Sequence, residues 1–377
     1  MAINVRGLRR LNISFATNVL FQSNFINVGV RSLYTDRDMG VTNYENTRFM
    51  FRNQYMSIEE TFRSKMKEIC KQEDGIIFTE DLKAMLHLAQ ESQEDMELLS
   101  SMLEKYVHHK ETYKYNAYVF GPVVMRMLYY LNKPLVALAM FENTQLRHTF
   151  EYRSSCRILL CLLLKHNMFK ELRCIYDEIL NQKGQDFIGR NSVLVYAACL
   201  KENTPESFEY GLAHWQNEIA SSKPSARCTT LTACLAIKQN SPDTALEMVS
   251  LLDKDRTLAV RSLKILAYMH MEKYLQIIPL LKYVIEQNEN FRNVVFGDVI
   301  YQLEEKIKEQ NFPEKQDLEH LINRLKATEK LDTQCTLEEY LFKPMMIQHR
   351  DKLQQKDWRV RTNWRHTHNK TGLKDYL

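Results

Sequence analysis

The chain has 377 residues, with 51 Lys and Arg against 47 Asp and Glu, for a formal net charge of +4. With 45% apolar residues, 26% charged residues, 10 Gly and 8 Pro, it reads as an ordinary soluble protein and excludes long flexible linkers. A uniformly basic nucleic-acid footprint is excluded as well, so any contact with RNA must come from locally clustered charge.

The first 34 residues hold no Asp, Glu or Lys but carry Arg6, Arg9, Arg10 and Arg31 among Ser and apolar residues. That pattern predicts a mitochondrial transit peptide over 1–34 and a matrix location. Asn12, Asn18, Gln22, Asn24 and Asn27 break its apolar stretch and argue against a secretory signal or membrane anchor. Arg31 before Ser32, Leu33 and Tyr34 places the expected cleavage near Leu33 to Thr35. Losing four arginines leaves 47 basic against 47 acidic groups, a neutral mature protein. Residues 344–377 then hold eight basic against three acidic groups.

A lead-in is expected over 35–78, polar and irregular from 36 until Ile58, where a helical pattern runs through Phe62, Met66 and Ile69. Paired helical patterns follow at about 79–90 with 93–109, 116–131 with 134–147, 153–166 with 168–182, 189–202 with 205–221, and 225–239 with 242–253. A less regular sixth pair spans 256–288. The repeat array is therefore drawn over 79–290. Two stretches split by Pro313, near 294–309 and 314–330, are expected to cap it within 291–335, and a basic, aromatic tail covers 336–377. The apolar run Ile158 to Leu164 is seven residues long, against the roughly 20 that a bilayer requires. It is expected to be a buried first-of-pair helix, and no membrane insertion is expected.

The pairs are punctuated by an asparagine ladder, Asn132, Asn167, Asn203 and Asn240, at intervals of 35, 36 and 37 residues. Three rungs continue into Pro134, Pro205 and Pro242 two residues on. Asn tolerates the left-handed conformation at a helix C-terminus, and Pro suits the first position of a helix. Each rung therefore reads as one helix ending and the next beginning. A two-helix unit with a period near 35 cannot bury its apolar face alone, and stacked neighbours supply the core. The expected fold class is all-α, a right-handed α-solenoid of stacked antiparallel helix pairs. The eight cysteines include no C-x-x-C pair. Cys156, Cys161, Cys174, Cys199 and Cys234 lie in apolar helical stretches and read as reduced core residues.

The helix pair from Arg153 to Gln182 and the succession of pairs over 116–254 resemble pentatricopeptide repeats. So do the stretches Tyr118-Val119-Phe120-Gly121-Pro122, Ala197-Ala198-Cys199-Leu200-Lys201 and Asn203-Thr204-Pro205-Glu206-Ser207-Phe208. The resemblance covers about 55–290. It implies a mitochondrial protein that binds single-stranded mitochondrial RNA, assists its maturation and so supports the respiratory chain, with a nuclease or ribosomal protein as further partner. It also implies that the side chain ten residues before each loop Asn faces a base. Those positions hold Pro122, Arg157, Val193 and Thr230, of which Thr230 is the residue type the family favours.

A second pattern lies on the same face. Arg153, Arg190 and Arg227 recur every 37 residues at the starts of first helices, with Arg157 one turn after Arg153. The macrodipole opposes a cation there by about 0.3 to 1 kcal/mol, and phosphate oxygens supply a reason for the placement. Solvated junction arginines are the plainer account. In the tail, Trp358 and Trp364 interleave with Arg359, Arg361 and Arg365, an arrangement suited to base stacking and backbone charge. Docking of the tail on the repeats explains it equally well.

Enzymatic motifs are absent. Gly184 and Gly189 have phosphate-loop spacing but lead into Arg190-Asn191 with no preceding strand. His366 and His368 lack acidic or Cys neighbours for a metal, and no cofactor is expected. Two functions remain: an RNA-binding protein of mitochondrial RNA processing, or a protein-protein scaffold in ribosome or respiratory-complex assembly without RNA contact.

Overall fold

The computed structural model describes residues 33–113, 118–221, 225–252, 257–286, 294–310 and 312–344. The chain enters through α1 (Asp36–Met39), α2 (Val41–Tyr55) and α3 (Glu59–Lys71). Helices α4 (Thr79–Leu88), α5 (Gln93–Tyr113), α6 (Gly121–Tyr130), α7 (Pro134–Glu142) and the single turn α8 (Arg147–Phe150) follow. The middle comprises α9 (Arg153–Lys165), α10 (Phe169–Lys183), the short α11 (Gln185–Ile188), α12 (Ser192–Glu202) and α13 (Pro205–Ser221). Then come α14 (Ala226–Lys238), α15 (Pro242–Ser250), α16 (Leu258–His270) and α17 (Ile277–Glu286). The end is α18 (Gly297–Glu309), α19 (Lys315–Ala327) and α20 (Leu337–Leu341). Two residues each of β1 (Val295–Phe296) and β2 (Leu331–Asp332) pair in parallel.

The all-α helical-repeat architecture is as expected. First helices stack in series, α6 on α9, α9 on α12, α12 on α14 and α14 on α16, while α7, α10, α13 and α15 each pack on the next first helix. Because a first helix has neighbours on most sides, its apolar residues run without interruption. Ile158 to Leu164 are all buried, as are Val193 to Leu200.

All four ladder asparagines are left-handed, with φ between 50° and 58°. At Asn132 the following amide, Lys133, donates to the Leu128 carbonyl at 3.0 Å, and the Asn132 amide donates to Tyr129 at 3.2 Å. This double closure of the helix end recurs at Asn167 and Asn240. Asn203 uses the single bond from its amide to Cys199, at 2.9 Å. The side chains then tie repeat to repeat: Asn132 Oδ1 pairs with His166 Nε2 at 2.8 Å, Lys201 Nζ donates to Asn167 Oδ1 at 3.1 Å, and Gln239 Nε2 donates to Asn203 Oδ1 at 2.8 Å. Glu272 is a further left-handed rung, with φ 57° and the same double closure through Lys273. Sequence pattern missed it because Glu is not a left-handed residue type.

Two of the stretches that carry the family resemblance have visible reasons. A Cβ at Gly121 would lie 2.0 Å from the Thr149 carbonyl oxygen, so only glycine lets α6 begin against α8. Thr204 and Ser207 form a reciprocal N-cap of α13, each side-chain oxygen accepting from the other's amide at 3.1 and 3.0 Å.

The lead-in differs from expectation: the residues expected to be irregular before Ile58 form α1 and α2. The stripe of α2 that faces α4 and α6 is Val41, Tyr44, Arg48, Phe51 and Tyr55. An arginine at its centre and exposed Phe49 and Met50 on other faces hide the helical period. Arg48 is nevertheless buried, donating to the His87 carbonyl at 2.9 Å and lying 5.3 Å over the Tyr130 ring. Gly40, left-handed at φ 75°, turns α1 into α2 against the Arg126 side chain, whose Nε donates to the Met39 carbonyl at 2.8 Å. Next along the chain, α3 docks on α5 through buried Arg63, which pairs with Asp95 and with Glu59 and donates to the Leu88 carbonyl at 2.9 Å.

The cysteines are all free; Cys156, Cys161, Cys199 and Cys234 are core residues, but Cys174 is exposed, on the face of α10 turned away from its neighbours. No helix among the described residues is long and apolar enough to cross a membrane.

Candidate nucleic-acid interface

Three of the four expected arginines meet at the junction where α10 and α11 give way to α12. Arg153, the first residue of α9, is exposed; its Nη2 donates to the Asp186 carbonyl at 2.8 Å and its guanidinium lies 5.6 Å from the centre of the Phe187 ring. Arg157, one turn on, donates from Nε to Asn191 Oδ1 at 2.9 Å and covers the Tyr34 ring at 4.9 Å. Asn191 is buried and its amide nitrogen reaches back to the Arg153 carbonyl at 3.4 Å. Arg190 does not begin a helix; it occupies the turn Gly189–Asn191, where Gly189 has φ 48°. Its side chain is exposed and its carbonyl accepts the Tyr34 hydroxyl at 2.9 Å.

Tyr34 is therefore clasped between two repeats. Burial pushes its phenol up to about 12, and the positive charges of Arg157 and Arg190 pull the other way. Nothing in the sequence ties Tyr34 to this place, 156 residues from Arg190. Exposed Tyr152, next to Arg153 in the chain, and Phe187 under its guanidinium give the cluster aromatic faces as well. Adjacency to Arg153 was the available signal for Tyr152; Phe187 had none.

Arg227 stands apart. Its guanidinium donates to the carbonyls of Tyr340 and Leu341 at 2.9 and 3.1 Å and reaches that of Lys343 at 3.5 Å. Burial lowers its pKa. Thr230, one turn further along α14, is 5% exposed and its hydroxyl bonds to the Arg227 carbonyl at 3.1 Å. The two therefore do not join the open cluster at Arg153, because α20 packs against α14. Val193 is likewise buried in α12, and Pro122 in α6. Trp358, Arg359, Arg361, Trp364 and Arg365 lie outside the described residues. No cluster of His, Cys, Asp and Glu among the described residues is arranged to hold a metal.

The chain is 26% identical over 283 residues to pentatricopeptide repeat-containing protein 2, mitochondrial, of Pongo abelii, covering 74% of this chain and 73% of that protein. The human protein of the same name is 25% identical over 283 residues, covering 74% and 72%. The mouse protein is 24% identical over 285 residues, covering 74% of each. The chain is thus similar to these pentatricopeptide repeat proteins over about three quarters of its length. No family model matches it, and no solved structure does. Its relatives are named as mitochondrial, in keeping with the acid-free, arginine-bearing start of the chain. Among the described residues, Arg153 and Arg190 are those of the four expected arginines that are open to solvent.

Proposed function

We propose that the protein is a mitochondrial matrix RNA-binding repeat protein that holds a single-stranded transcript and presents it for processing by a separate nuclease, thereby supporting the respiratory chain. The observation that carries this reading is the convergence of Arg153, Arg157 and Arg190 on Asn191 beside Phe187 and Tyr34. Fixed guanidinium groups beside aromatic faces suit a strand of phosphates with unpaired bases. Arg153 and Arg190 supply the exposed charge. Arg157 holds the platform through Asn191 and Tyr34. The tail residues Trp358, Arg359, Arg361, Trp364 and Arg365 are proposed to add stacking, and the acid-free, arginine-bearing start of the chain to direct import and be removed ahead of Leu33.

The test is binding of labelled single-stranded oligonucleotides across a salt series. Arg153→Gln with Arg190→Gln is expected to weaken binding to many sequences alike and to flatten the salt slope by about 0.7 per lost contact. Trp358→Ala with Trp364→Ala is expected to remove about 1 to 3 kcal/mol per stacked base with little change of slope. A wild-type protein without salt-dependent affinity for RNA would overturn the reading in favour of a protein-protein scaffold. The neutral charge of the chain without its first 34 residues is what supports that alternative.

A further inference from the structure

Along one face of α14 stand Arg227, Thr230, Cys234 and Lys238, spaced by three or four residues and hence in register down the helix. The segment Thr336 to Lys343 crosses this face in the opposite direction. Its Glu338 carboxylate pairs with Lys238 near the C-terminal end of α14, and the Tyr340, Leu341 and Lys343 carbonyls meet Arg227 near the N-terminal end. The segment is a capped turn: Thr336 Oγ1 accepts from the Glu339 amide at 3.1 Å, and the Glu339 carboxylate accepts from the Thr336 amide at 3.3 Å. Five helical residues are too few to stand alone, so tertiary contacts hold it. These are buried Leu337 and Leu341, the Tyr340 ring 5.2 Å from Phe296, and a bond from the Leu337 amide to Asp298 at 3.1 Å.

The chemistry of the contact is lopsided. A cation withdrawn from water is ordinarily balanced by an anion, yet no carboxylate lies within salt-bridge distance of half-buried Arg227 among the described residues; its hydrogen-bond partners are three neutral carbonyls, and the Tyr340 ring lies 5.7 Å from its guanidinium. They lie at the end of α20, where the helix dipole is negative. The strap thus offers the α14 face a carboxylate at one end and a cluster of oxygens at the other, a weak imitation of a chain of anions. A phosphate brings its own negative charge and can take a guanidinium through two parallel bonds, neither of which a neutral carbonyl offers.

Building on the RNA reading above, we propose that residues 336–343 form a detachable cover over a second polyanion site on α14, and that the backbone of single-stranded RNA competes with the cover for Arg227 and Lys238. In the covered form the second site is silent and RNA is held at the Arg153 cluster alone. Displacement of the cover extends the bound track onto α14.

The full chain tests this with two variants. Leu341→Asp forces a carboxylate into the buried end of the strap. Glu338→Lys, at a side chain that is 44% exposed, sets two ammonium groups against each other and spares the core. Hydrogen exchange of amides 337–343 reports release, and circular dichroism reports the fold. Released, folded protein is expected to bind a labelled oligouridylate about fivefold more tightly than wild type at the same salt concentration. Adding Arg227→Gln to either released variant is expected to abolish that gain. Oligouridylate is expected to speed exchange at 337–343 in the wild type. A released strap with unaltered or weaker binding overturns the proposal while leaving RNA binding at the Arg153 cluster intact, as does failure of both variants to release it. Absence of binding by wild type and released protein alike overturns the RNA reading, and the competition with it.

Discussion

Asn167 carries two duties that separate cleanly by substitution. Its backbone is left-handed at φ 58°, and its side-chain oxygen accepts Lys201 Nζ from the next repeat. Asn167→Gly and Asn167→Ala both lose the side-chain bond, but only Ala meets the steric cost of the left-handed region. Ala is therefore expected to be about 1 kcal/mol less stable than Gly in urea unfolding, and equal midpoints would show that the turn is not the constraint. The reverse lesson comes from Glu272, which adopts the same conformation without a favoured side chain. There the packing of α16 on α15 and α17 imposes the turn, so the residue type carried no warning.

At the scale of the element, α2 shows what pattern reading loses when a polar residue occupies a core position. Its docking on α4 is an aromatic sandwich, with the His87 ring 4.8 Å from Phe51 and 5.0 Å from Tyr44, both stacked. His87 Nδ1 donates to the Lys83 carbonyl at 2.7 Å. Burial pushes His87 down to about 4. The fold thus prefers the neutral ring, and the unfolded chain binds a proton more readily. Stability from this site is complete above the ordinary histidine value near 6.5 and is lost as pH falls toward 4. Between pH 7 and pH 5 the wild type is expected to lose about 2 kcal/mol more than His87→Phe, which keeps the stack and cannot titrate. Denaturant unfolding of both proteins at the two pH values checks it, and parallel losses would place the proton elsewhere.

For the whole molecule, the N-terminal boundary of the folded unit is the decisive question. Leu33 and Tyr34 are buried, and Met39 closes α1 on Arg126. A cut at Thr35 would remove the Tyr34 clasp on Arg157 and Arg190. Protein recovered from mitochondria is therefore expected to begin at Leu33 or before it, within the range that the arginine at position 31 allows. A chain starting at Leu33 is expected to melt with the full-length protein, whereas one starting at Val41 is expected to melt several degrees lower through the lost burial of Leu33, Tyr34 and Met39. Equal melting of the two, or a native N-terminus beyond Tyr34, would show that this segment is not part of the folded unit.

What the sequence determined by itself was whatever repeats locally: the helix pairs, their period, the left-handed asparagines, the prolines that open second helices and the buried run at Ile158 to Leu164. Each follows from a residue's own backbone preference or from the 3.6-residue period, and so is written within a few neighbours. The tertiary structure alone decided which arginines stay open. Arg153, Arg190 and Arg227 look alike in sequence, but Arg227 is spent on carbonyls 113 to 116 residues away, while Arg153 reaches a carbonyl 33 residues away and remains exposed. Helix α2 and the strap at α20 were hidden for the same reason: short or polar segments take their shape from the surface that receives them. That surface is assembled by repeats far along the chain, so no local pattern announces what will lie across it.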